Sequence, residues 1–373
     1  SGTFGLGGAG QRAITLAAGQ DKLGGTFNVA SGTTTYQNAS ASSKFMSGVG
    51  SLTKTGVGTL ALTGNTTNTY TGGTFVSSGT LQLGASNMLA NTGLVTVNGG
   101  TFDIQGNSDT VGVVALTSGS INGSGGTLTG SFYDMQSGSA SAILGGTGIA
   151  LTKSTNGTVT LTGVNTYTGA TTVNGGTLLI NGSTSSTSLV TVNNGATLGG
   201  NGTAGGATTI LGTHNPGNSP GIQTFGSDLT YDGGSSVVNW ELVGNTSTNA
   251  ANPNAVFDQI IVGGNLNFTD LTTLNLSFVT AGSNVLWGNS FWDTAQSWTL
   301  YDVTGTTSNF ANLSLNSINW LDSGSNLFNT TRPTSSFTLT QSGGDVMLNY
   351  VIPEPRAALL GGLGMLLLLR RRR

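Results

Sequence analysis

A short repeat of glycine–threonine pairs constrains the fold more than any other feature of this sequence. Gly79-Thr80, Gly100-Thr101 and Gly119-Ser120 are separated by 21 and 19 residues. Apolar and polar residues alternate after these pairs, as in Leu81-Gln82-Leu83, and such alternation predicts β-strands with one buried face. An interval near 20 residues is the length of one solenoid coil, so the body of the chain would hold roughly 17 coils.

A longer unit repeats on top of this interval. Leu52-Thr53-Lys54 returns as Leu151-Thr152-Lys153, and Asn68-Thr69-Tyr70-Thr71-Gly72 returns as Asn165-Thr166-Tyr167-Thr168-Gly169. Asn-Gly and Gly-Gly pairs beside the strands supply residues for tight turns. This pattern suits either stacked β-hairpins or a parallel β-helix. Because the strand after each turn recurs one full step later, we predict an all-β, right-handed parallel β-helix.

The composition is consistent with a solenoid made of strands. Glycine provides 62 of 373 residues, and only 7% of the residues are charged, against about 25% in typical domains. So few charges argue against helical bundles and α/β enzymes, whose helices carry charged outer faces. The 36% of apolar residues is enough to bury a core. The absence of cysteine excludes disulfides, thiolate metal sites and thiol nucleophiles.

Charge is distributed unevenly along the chain. Residues 353–373 contain five Arg and one Glu, a local charge of +4, which leaves −7 for residues 1–352. An acidic, charge-poor body lacks the basic contacts that nucleic acids require, so we expect no nucleic-acid partner. The sequence starts at Ser1 without an initiator Met, a basic segment or a hydrophobic signal segment. We therefore expect the natural N-terminus to be missing.

The repeated motifs resemble a known family. The units 52–84 and 151–182 resemble autotransporter-associated β-strand repeats, which implies a parallel β-helical surface or passenger-type region. The segment 215–221, Asn-Pro-Gly-Asn-Ser-Pro-Gly, followed by Asp-Gln-Ile-Ile-Val at 258–262, resembles the C-terminal part of such passengers. We divide the chain into a β-helix with these repeats, a C-terminal β-helix continuation or cap, and a tail. These regions comprise residues 1–215, 216–352 and 353–373.

Aromatic residues are concentrated in the second region. Residues 216–352 hold 16 aromatic residues, and all five tryptophans lie between Trp240 and Trp320. A solenoid needs a cap over its last coil, and large aromatic side chains cover such a surface efficiently. We therefore predict an aromatic-rich β cap. In the alternative interpretation, aromatic faces form a platform on which sugar rings stack, and its residues would be Trp287, Trp292 and Trp298.

The tail combines three elements in a fixed order. Pro353-Glu354-Pro355 is followed by an uncharged apolar run at 357–369 and by Arg370, Arg371, Arg372 and Arg373. The apolar run predicts a short transmembrane helix whose terminal arginines stop transfer and stay in the cytoplasm. Thirteen residues span about 20 Å, less than a hydrocarbon core of about 30 Å, so arginine snorkelling and bilayer thinning would have to help.

This order resembles the PEP-CTERM sorting signal. The resemblance implies that an exosortase, a membrane protease-transpeptidase, recognises Pro353, Glu354 and Pro355 and cleaves near them. It also implies a precursor anchored in the inner membrane of a Gram-negative, exopolysaccharide-making bacterium, and a mature protein at the cell surface or in the extracellular matrix. Exopolysaccharide is then a further expected partner. A permanent anchor without processing is the alternative.

Few residues offer catalytic chemistry. His214 is the only histidine, and its position before Asn215-Pro216 predicts a turn residue. Carboxylates that cleave glycosides work in pairs. The candidate pairs are Asp103 with Asp109 and Asp228 with Asp232. Each stands alone among Thr and Asn, so we expect a non-enzymatic surface protein without cofactor, metal or catalytic residues. An adhesin that binds carbohydrate or surfaces and a polysaccharide-degrading β-helix enzyme are the alternatives.

Overall fold

The chain forms an all-β solenoid of parallel strands. The computed structural model describes residues 14–15, 25–38, 46–65, 67–316 and 319–353. Within these residues the chain winds through three successive sheets in each coil, and one continuous apolar core fills the interior. Helical structure in the described part is limited to an α-helix and two 3-10 turns, at Phe328–Thr331, Ser290–Asp293 and Phe310–Asn312. The predicted solenoid is confirmed, whereas its handedness stays a prediction.

The first sheet stacks one strand from each coil in parallel register. The first halves of two long strands, Val95–Asp103 and Val113–Asn122, belong to it. The remaining strands are Gly25–Asn28, Leu52–Thr55, Thr74–Val76, Phe132–Met135, Leu151–Lys153, Thr171–Val173, Val190–Val192, Thr208–Ile210, Leu229–Tyr231, Leu266–Phe268 and Thr307–Ser308.

The second sheet follows the first within each coil and is also parallel. The second halves of the two long strands belong to it. Its other strands are Thr33–Asn38, Thr59–Gly64, Thr80–Leu83, Gly138–Ala140, Thr158–Leu161, Gly176–Ile180, Ala196–Gly200, Thr213–Pro216, Ser236–Glu241, Thr272–Ser277 and Leu313–Leu315.

The third sheet is interrupted along the solenoid. Two short parallel segments precede a six-stranded sheet, in which the last two strands form an antiparallel hairpin. The short segments are Ile14–Thr15 with Met46–Ser47, and Asp109–Thr110 with Thr127–Thr129 and Ile143–Gly145. The six strands in spatial order are Thr203–Ala204, Ile222–Phe225, Gln259–Val262, Gln296–Val303, Asp345–Val351 and Ser336–Ser342.

Coil length is regular only in the first part of the solenoid. Paired positions in the first sheet are 18 to 22 residues apart from Leu52 to Leu229, because each coil holds three short strands and tight turns. The next two steps, Leu229 to Leu266 and Leu266 to Thr307, take 37 and 41 residues. The expectation of roughly 17 equal coils is therefore wrong, since late coils contain long excursions between the second and third sheets.

The repeated asparagine and tyrosine join neighbouring coils from inside. Asn68 accepts a hydrogen bond from the Met46 amide of the preceding coil at 2.8 Å and donates to the Met88 carbonyl of the following coil at 2.7 Å. In the second repeat, Asn165 likewise bonds the coil before and the coil after it. The buried Tyr70 hydroxyl lies 2.5 Å from Thr74 Oγ1 in the next coil. The asparagines thus bond main-chain groups that would otherwise be buried without partners, and the tyrosine hydroxyl bonds a buried threonine side chain.

The repeated lysine also has a structural role. The Lys54 ammonium is buried and donates to the carbonyls of Thr55, Gly56 and Ser78 at 2.7, 2.8 and 3.1 Å. Burial lowers the pKa of Lys54. Gly79 has a φ of +62°, and a Cβ there would lie 2.3 Å from the Gly56 carbonyl oxygen and 2.4 Å from the Gly58 carbonyl oxygen. The glycine of this Gly-Thr pair is therefore required both by its backbone conformation and by the main chain of the preceding coil.

The excursions of the last coils enclose an aromatic core. Trp287 and Trp292 are 0% exposed and Trp298 is 1% exposed, with the ring centroids of Trp287 and Trp292 4.8 Å apart. Phe278, Phe337 and other rings surround them in edge-to-face and tilted contacts. The interpretation of Trp287, Trp292 and Trp298 as a sugar-stacking platform is wrong, because no ring face is open to a ligand.

The tail lies almost entirely outside the described residues. Pro353 is described and exposed. Glu354, Pro355 and the segment up to the terminal Arg370, Arg371, Arg372 and Arg373 lie outside the described part of the chain. Among the residues that are described, no helix combines the length and the apolar character needed to cross a membrane.

Candidate functional site

A cleft on the outer face of the second sheet brings polar side chains from several coils together. It encloses about 540 Å³ where the first long excursion leaves the regular coils. Strands from several coils form its floor and the segment 217–219 forms one wall. The lining residues are Leu179, Asn215, Pro216, Gly217, Asn218, Ser219, Asn239, Glu241, Asp258, Asn275 and Ser277.

A row of asparagine side chains crosses the floor of this cleft. Asn239 donates to Asn215 Oδ1 at 2.7 Å, Asn275 donates to Asn239 Oδ1 at 2.8 Å, and Asn316 donates to Asn275 Oδ1 at 2.8 Å. The row follows from strand register, since Asn239 pairs with Asn275 between adjacent coils and both side chains point outward. We call these four residues the asparagine ladder. All its bonds run in one direction, toward Asn215.

The carboxylate of Glu241 fixes the wall of the cleft, and it stands at the end of the strand that carries Asn239. Ser219 has a positive φ of 64° and follows the turn at Gly217. Its hydroxyl donates to Glu241 Oε2 at 2.7 Å. Asn252, in the first excursion, accepts from the Ile222 amide at 2.9 Å and donates to the Ile222 carbonyl at 2.8 Å. The segment 215–221 is therefore held at both ends.

Asp258 is buried beneath the wall and is occupied by main-chain amides. Its Oδ1 accepts from the Gly221 amide at 2.7 Å and its Oδ2 accepts from the Glu241 amide at 2.9 Å. The side chain is 1% exposed, and this burial raises the pKa of Asp258 well above its ordinary value despite the two amides. Asp258 therefore shapes the cleft and does not reach a ligand.

The carboxylates proposed from the sequence do not meet. Asp103 accepts from the amide of Gln105 at 2.9 Å in a turn. Asp109 is buried and accepts from the amides of Met88 and Leu89, both at 2.9 Å. Burial raises the pKa of Asp109 to about 6. Each of these two carboxylates thus closes its own turn or coil, so they form no glycosidase-like pair.

The second candidate pair is separated in the same way. Asp228 Oδ1 accepts from the Asn265 amide at 2.7 Å. Asp232 Oδ1 accepts from the Gly233 amide and from the Thr269 hydroxyl, both at 2.9 Å. Each carboxylate bonds a different group of the next coil, and no bond joins the two. The sequence did not indicate that Glu241 and Asp258 are neighbours, because Asp258 lies 17 positions after Glu241, at the end of an irregular excursion.

His214 lies in the solenoid interior and not in an exposed turn. His214 occupies an inward-facing position of the second sheet. It pairs there with Leu198 in the preceding coil and with Val238 in the following coil. Gln223 donates to the Gly199 carbonyl at 3.1 Å, which directs its Oε1 toward His214 Nε2 at 2.9 Å. Nε2 therefore carries the proton and Nδ1 accepts from the Tyr231 hydroxyl at 2.6 Å. Burial lowers the pKa of His214 to about 4.

Comparison with known proteins identifies the repeated units. Residues 52–83 and 151–180 match the family model of the passenger-associated-transport-repeat. The matched ranges agree closely with the units 52–84 and 151–182 deduced from the sequence. No curated protein matches the chain. The repeat is typical of exported, surface-associated passenger regions of Gram-negative bacteria, and the all-β solenoid is the architecture that such regions have.

The matched repeats contain the residues that bond coil to coil. The Lys54 ammonium, the Asn68 amide and the Tyr70 hydroxyl of the first repeat all bond groups of a neighbouring coil. Lys153, Asn165 and Tyr167 do so in the second repeat. The family match therefore marks the scaffold, while the residues that line the cleft, Leu179 excepted, lie outside the matched ranges.

Proposed function

We propose that this chain is an exported, non-enzymatic protein of the cell surface or extracellular matrix. The observation that carries the proposal is the pair of passenger-associated repeats built into a parallel solenoid. In both repeats the recurring polar residues are buried and bonded to neighbouring coils, so the repeated sequence maintains an elongated scaffold. A charge-poor outer surface rich in Thr and Asn suits display outside the cell.

Three observations support a role without catalysis. The carboxylates nominated from the sequence each bond a separate turn, and the single histidine is fully buried. Asp258, the acid of raised pKa nearest the cleft, has both oxygens occupied by amides. Among the described residues, no three histidine or carboxylate side chains gather as a metal site would require. A reaction in the cleft would need an accessible acid and base, and among the residues that line it Glu241 is the accessible titratable group.

The route to the surface is proposed to pass through the tail. Its order of Pro353-Glu354-Pro355, an apolar run and four terminal arginines resembles the PEP-CTERM signal that an exosortase reads. The precursor would be held in the inner membrane through the apolar run, with the arginines in the cytoplasm. Cleavage near the motif would release an acidic body, because the tail carries +4 and residues 1–352 carry −7.

Intact-mass measurement of the protein recovered from cells tests this route. We expect a mature species that ends near residue 353 and lacks the apolar run and the arginines. Replacing Pro353, Glu354 and Pro355 by alanine should retain the full tail and abolish release to the surface. The matched control is replacement of Pro333, Thr334 and Ser336 by alanine, which changes three exposed side chains upstream of the motif.

Two outcomes would contradict the proposed route. One is an unchanged mature mass and unchanged delivery after replacement of the motif. The other is a native protein that keeps the complete tail at the surface, which would establish a permanent anchor. Neither outcome would affect the proposed surface scaffold, because the solenoid and its repeats do not depend on the tail.

A further inference from the structure

We propose that the asparagine-lined cleft binds a linear, uncharged polysaccharide. This inference goes beyond a scaffold at the cell surface, since it names what the scaffold holds. It replaces the sugar-stacking tryptophans, which are buried, with a polar site on the outer face of the second sheet.

The chemistry of the ladder suits sugar hydroxyls. An asparagine amide has two N–H donors and a carbonyl oxygen with two lone pairs. Within the ladder Asn239 and Asn275 each use one donor and one lone pair, so one donor and one lone pair remain on each. A sugar hydroxyl is itself both a donor and an acceptor and can bond both remaining groups. Asn215, which is exposed at the end of the ladder, only accepts from it.

The spacing of the ladder suits a linear repeating ligand. Adjacent strands of a sheet lie about 4.8 Å apart, which is comparable with the length of one sugar ring in an extended chain. Asn215, Asn239 and Asn275 repeat at this distance in three successive coils. Successive sugars along the solenoid would therefore meet the same amide groups. A compact small molecule would use only one of them.

The remaining lining residues favour an uncharged ligand. No Lys or Arg lines the cleft, and its accessible charged group is Glu241, whose carboxylate would repel uronates. Leu179, which is partly exposed, provides apolar surface for the C–H face of a sugar. Gly199 pairs with Leu179 on one side and with Asn215 on the other. Because Gly199 has no side chain, Leu179 remains accessible from the cleft; a Cβ at Gly199 would lie 3.0 Å from Leu179 Cδ2.

Calorimetric titration of the full chain tests the inference. The probes are hexasaccharides of β-1,4-linked glucose, mannose and xylose, with a galacturonate hexasaccharide as the charged comparison. We expect at least one neutral probe to bind and the galacturonate probe to bind at least tenfold more weakly. The double variant Asn239→Ala, Asn275→Ala should weaken binding of the neutral probe at least tenfold.

The controls separate loss of the site from loss of the fold. Asn193 donates to Asn174 at 2.7 Å in an exposed amide pair outside the cleft, so Asn193→Ala should leave the affinity unchanged. Ser277→Trp fills the cleft beside Glu241 without removing a ladder amide and should abolish binding. If the double variant does not fold, the affinity of Ser277→Trp decides the question.

Three results would overturn the inference. They are the absence of binding by all neutral probes, binding of galacturonate as tight as that of the neutral probes, and wild-type affinity in folded variants of the ladder or of Ser277. Because binding is measured on purified protein, such a result leaves the proposed export route and scaffold role untouched.

Discussion

His214 is kept neutral inside the solenoid by a directed chain of hydrogen bonds. Tyr301 donates to Tyr231 at 3.1 Å, and Tyr231 donates to His214 Nδ1. His214 in turn donates to Gln223. A second proton on the imidazole would place an N–H against the Tyr231 hydroxyl and a charge in an apolar interior. The fold therefore discriminates against the protonated form.

This arrangement predicts that acid destabilises the protein through His214. The folded-state pKa of about 4 lies below the ordinary histidine pKa of 6.5, so the unfolded chain takes up a proton that the folded chain excludes. The His214 contribution to the free energy of unfolding is complete above pH 6.5 and is lost as the pH falls toward about 4. The loss amounts to about 3 kcal/mol, at about 1.4 kcal/mol for each pH unit.

Urea unfolding of the wild type and of His214→Gln between pH 7 and pH 4 measures this contribution. The difference in the free energy of unfolding between the two proteins should shrink as the pH falls. It reports on His214 because this residue is the only histidine in the sequence. Asp109 acts in the opposite sense: its raised pKa of about 6 favours the folded state as the pH falls from about 6 toward 3.8. Because Asp109 titrates in both proteins, its contribution cancels when their free energies of unfolding are subtracted. A difference independent of pH would show that folding does not lower the pKa of His214.

At the level of the element, the repeated units set the separation between coils. Gly72 ends the first Asn-Thr-Tyr-Thr-Gly motif, and a Cβ there would lie 2.5 Å from the Gly50 carbonyl carbon of the preceding coil. Gly169 ends the second motif, and a Cβ there would lie 2.5 Å from the Ile149 carbonyl carbon. Both glycines are therefore required by the close approach of backbone to backbone.

Gly169→Ala should consequently force two coils apart and destabilise the solenoid. The added methyl meets main-chain atoms, which cannot move aside as the end of a flexible side chain could, so we expect a loss of about 1 to 3 kcal/mol. Hydrogen exchange should increase in the coils on either side of residue 169. Gly288→Ala is the matched control, because a Cβ there meets no atom within 4 Å. Equal thermal unfolding temperatures for the two variants would refute a spacing role for Gly169.

Some elements follow from the sequence because they depend on local pattern. The outward threonines Thr152, Thr172 and Thr191 stack in register on the first sheet, as expected when Val, Leu and Thr alternate along strands. The repeated Lys, Asn, Tyr and Gly residues also indicated contacts between coils. A contact that recurs from one repeat to the next requires the same residue types at equivalent positions. The family resemblance of residues 52–84 and 151–182 could therefore be read before the fold was known.

The cleft and the fate of the tryptophans depend on long-range packing. Asn215 and Asn239 meet because of coil register, and 36 residues separate Asn239 from Asn275 although their side chains bond. No local pattern encodes the length of that excursion. The sequence also could not decide whether Trp292 faces inward or outward. The excursions that bury it are irregular and carry no strand periodicity from which its orientation could be deduced.

At the level of the whole molecule, stability is distributed as local contacts along the solenoid. Each coil packs on the coils before and after it, so a change at one end reaches distant coils weakly. The aromatic core of the last coils is one of these local units. Trp292 contacts Trp287, Trp298 and Tyr350 with ring centroids 4.8, 5.9 and 5.1 Å away.

Trp292→Ala should therefore unfold the C-terminal end before the repeats. Removing a buried indole typically costs about 3 to 5 kcal/mol, and here it also frees Asn245, which accepts from the indole N–H at 2.8 Å. We expect hydrogen exchange to increase across residues 278–353 and to stay unchanged across residues 74–180. Leu271→Ala removes a side chain that is 64% exposed and should change neither region. Increased exchange along the entire chain would mean that the solenoid unfolds as one cooperative unit and that coil contacts do not localise its stability.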